Sequence, residues 1–77
     1  MTEVELTPQA QDHLSALDAE PRERVLRKLD EVRDWPEHRL EPLSGWPYHK
    51  LRIGDYRAIV TWDRGDDRVV VEAVGHR

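Results

Sequence analysis

The sequence predicts an α+β fold of the order β-α-α-β-β-β, with a helical hairpin packed on one face of a four-stranded, mainly antiparallel sheet. Two observations predict it. After one short alternating segment, the first part of the chain carries apolar residues at helical spacing. From position 48 onward, short runs rich in Val, Ile, Tyr and Trp are separated by turn residues. The 77 residues are expected to form a single domain, 1–77.

The segments before position 35 show where a strand and two helices begin. Val4 and Leu6 alternate with glutamates, which is typical of a strand with one buried face. Thr7 then suits the N-cap of a first helix and Pro8 its first turn, and a second helix begins at Pro21. The predicted apolar stripes are Ala10, Leu14 and Leu17 in the first helix and Val25, Leu26, Leu29 and Val32 in the second.

The segment 35–47 contains three prolines and a glycine, and we expect a loop there, without a helix or a central strand. Three strands are predicted after it, at 48–53, 56–62 and 68–74. Connections of two and about five residues join them, so the strands should form an antiparallel meander.

Composition excludes several classes of protein. The chain has no cysteine, so neither a disulfide framework nor a thiolate zinc site is available to it. Its longest apolar runs, "AIV" at 58–60 and "VVV" at 69–71, are too short for a membrane span or a signal peptide. We therefore expect a cytoplasmic domain with no membrane partner.

Charge is unevenly distributed along the chain. The net formal charge is −4, but residues 1–47 carry −5 and residues 48–77 carry +1. A polyanionic partner would therefore meet the second part of the chain.

The stretch "YHKLRIGDYR" concentrates positive charge in the second part. If Gly54 and Asp55 form a two-residue type II′ turn, Arg52 lies opposite Arg57 and Lys50 lies opposite Ile59. Because side chains alternate between the faces of a strand, all three cations then project from one face.

The sequence allows two interpretations of this cluster. Surface carboxylates at Asp55, at Glu72 or in the 35–47 segment can form ion pairs with the cations, an arrangement that is common and weak. Alternatively, the cluster binds phosphate, since like charges placed directly opposite on neighbouring strands destabilise the pair.

The C-terminal stretch "YHKLRIGDYRAIVTWDRGDDRVVVEAVGHR" resembles the RelE/ParE toxin superfamily, especially the RelE-like messenger-RNA interferases of type II toxin–antitoxin systems. The first half, with "VELTPQAQDHLSAL" and "RERVLRKLDEV", is similar to the opening strand and helical hairpin of that family. The resemblance implies the RelE-like microbial RNase fold over nearly the whole chain. The same scaffold also carries ParE-type gyrase poisons, which act by binding, so a non-catalytic or degenerate toxin is the alternative.

The resemblance also implies a mechanism and its residues. RelE-like members cleave translated messenger RNA on the ribosome by attack of the ribose 2′-OH, with neither metal nor cofactor, and so inhibit translation. Arg57 matches the family position that clamps the phosphate, and Arg77 the position that stabilises the transition-state oxyanion or the leaving group. Lys50 and Arg52 match two basic positions that bind RNA and assist the base. His76 is included among the RNA-binding residues, although alternation turns it away from Arg77.

The implied partners are a cognate RelB-like antitoxin, the ribosome and messenger RNA. Members of the family often continue for several residues past the G-H-R motif and carry a tyrosine near the end, whereas this sequence stops at Arg77. A shortened chain, a degenerate toxin and a general acid located elsewhere all remain compatible with that difference.

Overall fold

The computed structural model describes residues 2–76 and confirms the α+β class. Eight elements follow one another along the chain. They are β1 (Glu3–Leu6), α1 (Pro8–Ser15), α2 (Ala19–Asp34), α3 (Pro36–Arg39), β2 (Leu40–Pro42), β3 (His49–Ile53), β4 (Tyr56–Asp63) and β5 (Arg68–His76).

Helix α1 begins where its capping residues predict, although it ends at Ser15, before the predicted stripe residue Leu17; α2 begins at Ala19, two residues before the predicted Pro21. The Thr7 hydroxyl accepts a hydrogen bond from the backbone N–H of Ala10 at 3.1 Å, and Pro8 opens α1. Helix α2 buries one stripe, but Leu26, which was predicted to belong to it, is 43% exposed. The buried helix residues are Ala10, Leu14, Val25, Leu29 and Val32.

The sheet has five strands in the order β1-β5-β4-β3-β2, one more than predicted. Strand β1 pairs with β5 in parallel, and the other neighbours are antiparallel. The additional strand, β2, lies in the segment 35–47 that was expected to be a loop, and the one-turn helix α3 precedes it.

The prolines of this segment occupy positions where their missing N–H has little cost. Pro36 is in the first turn of α3, where no intrahelical donor is needed. Pro42 is in a three-residue strand at the sheet edge, which places fewer demands on backbone donors than a central strand does. Leu40, which is only 6% exposed, anchors the strand to the core.

The core lies between the helices and one face of the sheet. That face contributes Leu51, Ile53, Ala58, Val60, Val69, Val71 and Val74, which cluster with the buried stripes of α1 and α2. Residues that alternate with these point to the opposite, open face, where Arg52 and Arg57 are exposed. Within residues 2–76, the helices are too short or too polar to span a bilayer.

Candidate functional site

A tight turn places the basic residues of β3 and β4 side by side. Gly54 has φ of +59°, a conformation that glycine adopts without steric cost and that a type II′ turn requires at its first central position. Ile53 pairs with Tyr56, and Arg52 pairs with Arg57, in the register that the two-residue turn predicts. The turn therefore brings two guanidinium-bearing residues into direct cross-strand opposition.

A shallow cavity of about 440 Å³ opens at this end of the sheet. Lys50, Arg52 and Arg57 line it together with Gly54 and Tyr56. Three of its five lining residues are cations, so the cavity is suited to an anion. Tyr56 pairs with the buried Ile53 and packs against the core, so its side chain lies on the face opposite to that of Arg52 and Arg57.

Ion pairing distinguishes Lys50 from the two arginines. Its ammonium nitrogen Nζ lies 3.7 Å from Oε2 of Glu41, the residue that β2 places opposite it. The ion-pair interpretation therefore holds for Lys50, with a partner from the 35–47 segment. Arg52 and Arg57 have no carboxylate within 4.0 Å among the residues that the structure describes.

The carboxylate of Glu72, another expected partner, is engaged elsewhere. Its Oε2 accepts a hydrogen bond from the Thr61 hydroxyl at 3.0 Å, along the sheet and away from the turn. Two adjacent arginines are thus left without neutralisation in the described part of the chain, which is the local condition that favours binding of an external phosphate.

A fourth cation, Arg24, approaches the turn from α2. Its Nη1 atom would lie 3.1 Å from a Cβ at Gly54, and its Nη2 donates to Glu20 Oε1 at 2.6 Å. Arg24 lies outside the apolar stripe that periodicity predicts for its helix. Nothing in a single sequence separates it from other outward arginines of α2, because the contact joins positions 30 residues apart.

The C-terminal candidates occupy different positions relative to the cavity. His76 pairs with Tyr56 across the β4–β5 ladder, and the two rings meet edge to face with centroids 4.9 Å apart. The residue opposite Arg57 on β5 is Gly75. Arg77, the remaining basic residue that the sequence predicts for the site, lies outside the described residues.

Comparison with known proteins identifies a matching family and several solved structures with the same fold. The family model for the ParE toxin of the type II toxin–antitoxin system parDE matches residues 4–77. No curated protein matches the chain.

Several solved structures share the fold. The RelBE2 toxin–antitoxin complex of Mycobacterium tuberculosis contains a chain with a TM-score of 0.90 and 24% identity, covering 99% of this chain and 98% of that one. The archaeal RelE–RelB complex of Pyrococcus horikoshii contains a chain with a TM-score of 0.85 and 23% identity, covering 99% of this chain and 94% of that one. The intact RelBE complex of E. coli contains a chain with a TM-score of 0.82 and 27% identity, covering 100% of this chain and 98% of that one.

Proposed function

Because the chain belongs to the ParE toxin family of type II toxin–antitoxin systems, we propose that this toxin is an endoribonuclease that cleaves translated messenger RNA on the ribosome without a metal ion. One observation carries the proposal. Arg52 and Arg57 stand opposite one another at a cavity and lack a carboxylate partner among residues 2–76. A protein that acted only by binding through its apolar surface would have no need of this destabilising pair.

The proposed reaction is a transesterification at phosphorus. The ribose 2′-oxygen bonds to the adjacent phosphorus as its proton leaves, the bond from phosphorus to the 5′-oxygen breaks, and that oxygen takes up a proton. The products are a 2′,3′-cyclic phosphate and a 5′-hydroxyl end. The enzyme has to hold the phosphate in line, stabilise the extra negative charge and move two protons.

The residues at the cavity divide this work. Arg57 clamps the scissile phosphate with a charge-assisted, two-pronged donor set, and Arg52 and Lys50 bind the RNA backbone and assist the base. Arg77 stabilises the oxyanion or the leaving group, and His76 contributes to RNA binding beside Tyr56.

Cleavage by purified protein on ribosomes that hold a defined messenger in the decoding site tests the proposal. Wild-type protein should generate new 5′-hydroxyl ends within the decoding site, and Arg57→Ala should lower the rate by at least 100-fold, as expected for loss of a transition-state donor. Arg68→Ala is the matched control, because Arg68 is a basic strand residue paired with Glu5 at 3.6 Å. If wild-type protein generates no new 5′-hydroxyl ends, the proposed endoribonuclease activity is refuted.

A RelB-like antitoxin is the partner that fits this toxin. The structurally similar RelE chains of three organisms were each crystallised with an antitoxin. We propose that, in the cytoplasm, the cognate antitoxin covers the basic cavity, lined by Lys50, Arg52 and Arg57, through electrostatic and apolar contacts. Co-purification with the product of the adjacent open reading frame, and suppression of cleavage by it, would support the pairing.

A gyrase-directed toxin is the second candidate, because the matching family model is the one for parDE. In that case the protein acts by binding and does not cleave RNA. Inhibition of DNA supercoiling by wild-type protein, with unchanged messenger RNA on the ribosome, would select this alternative.

A further inference from the structure

Strand β5 contains one residue more than β4 can pair with. Ile59 pairs with Ala73, whereas its neighbour Val60 pairs with Val71, so Glu72 is the extra residue of a β-bulge. Bulges of this kind shift the alternation of a strand, and they are common beside active sites.

The bulge reverses which residues of β5 face the core. Before it, Val69 and Val71 are buried; after it, the buried residue is Val74, and Gly75 stands opposite Arg57. Without the extra residue, the earlier register would carry on and place Val74 opposite Arg57. A β-branched side chain would then stand beside the arginine on the open face, at a place that the glycine leaves clear.

Helix α1 and its N-cap hold the backbone of the bulge. The Thr7 N–H donates to the Val71 carbonyl at 3.1 Å, and the Thr7 hydroxyl donates to the Glu72 carbonyl at 3.2 Å. On the other side of the extra residue, the Val74 N–H donates to Nδ1 of His13 at 3.2 Å. Polar backbone groups on both sides of Glu72 are thus satisfied from one helix, which favours the bulged register over the regular one.

We infer that His13 and Thr7 are positioning residues for the basic cavity. They act through the bulge, which keeps Gly75 beside Arg57 and Val74 in the core. Neither side chain lines the cavity, so their effect on RNA is indirect. The inference rests on the proposed function only in that RNA is taken as the ligand; the register of β5 is a separate observable.

Substitutions at His13 test the acceptor directly. Oδ1 of an asparagine is bonded to Cγ, as Nδ1 of a histidine is. His13→Asn therefore retains an acceptor for the Val74 N–H at nearly the same place, whereas His13→Ala removes the acceptor. We expect His13→Ala to weaken binding of a fluorescent single-stranded RNA oligonucleotide about tenfold, equivalent to ~1.4 kcal/mol. His13→Asn should restore binding to within about twofold of wild type, well short of that tenfold step. NMR contacts between Arg57 and Gly75 report the register in the same samples.

Gly75→Val provides a second variant that leaves the bulge and α1 intact. Nothing lies within 4 Å of a Cβ built at Gly75, so the chain should fold with wild-type thermal stability. The added side chain should nevertheless weaken RNA binding about tenfold by crowding Arg57, a loss equivalent to ~1.4 kcal/mol.

The outcomes separate the inference from the function. Unchanged Arg57–Gly75 contacts and RNA affinity in His13→Ala would overturn the inference, and so would equal losses in His13→Ala and His13→Asn with the register intact. A shifted register and lost affinity, both restored in His13→Asn, support it. RNA affinity that stays at the wild-type level in Arg57→Ala refutes the proposed function instead, and the NMR contacts still decide whether His13 holds the bulge.

Discussion

Removing one arginine of the cross-strand pair should make the protein more stable and less active at once. Arg52 and Arg57 are directly opposite and exposed, and the described part of the chain supplies neither with a carboxylate. Arg57→Gln keeps most of the side-chain length and removes the charge. Arg57→Lys keeps the charge and serves as the control for the loss of the guanidinium.

The expected gain follows from the geometry of the pair. Like charges placed directly opposite on neighbouring strands destabilise the pair by a few tenths of a kcal/mol to about 1 kcal/mol, and ~0.8 kcal/mol is the repulsion of two unit charges about 5 Å apart in water. For a domain of this size, that energy corresponds to a rise in melting temperature of roughly 3–6 °C. At 1 M salt the screening length falls to about 3 Å, so most of the gain should disappear.

A double-mutant cycle isolates the repulsion from other effects of the substitutions. Arg52→Gln and Arg57→Gln should each raise the free energy of unfolding, and the double variant should be no more stable than either single variant. Urea denaturation at low and high salt measures all four proteins. Additive changes, or a gain in Arg57→Gln that does not depend on salt, would refute the claim that the two charges repel one another.

Three further substitutions test the turn, the core and the ion pair. Gly54→Ala should cost about 1–2 kcal/mol in urea denaturation, because φ is +59° and the new Cβ would lie 3.1 Å from Arg24 Nη1; an unchanged midpoint would contradict the turn geometry. Leu51→Ala, at a side chain only 2% exposed, should cost about 2–5 kcal/mol and leave much of so small a domain unfolded by circular dichroism. Glu41→Gln should free Lys50 and tighten binding of a single-stranded RNA oligonucleotide by about twofold at low salt, an effect of surface ion-pair size. Weaker binding in Glu41→Gln would show that the ion pair helps to position Lys50.

The hairpin of the basic cavity could be predicted from the sequence because its causes are local. A Gly-Asp dipeptide between two alternating runs specifies the loop length, and the loop length specifies that Arg52 lies opposite Arg57. The two main helices could also be predicted from the sequence, since the N-cap threonine of α1 and the apolar stripes of both helices are short-range signals.

The segment 35–47 was predicted incorrectly because its structure depends on the surroundings. Its prolines oppose regular structure in an isolated chain, yet Pro42 is accommodated at a sheet edge and Leu40 is buried against the core. That strand also supplies Glu41 to Lys50, so the error about the fold led to an incomplete description of the site.

The sequence alone determined the class of the fold, the hairpin register and the grouping of Lys50, Arg52 and Arg57, because turn chemistry and side-chain alternation act over a few residues. Only the tertiary structure decided which of these cations is neutralised and where β5 changes face. Those outcomes depend on contacts between residues far apart in the chain, such as the hydrogen bond from the Val74 N–H to His13, and no local pattern encodes them.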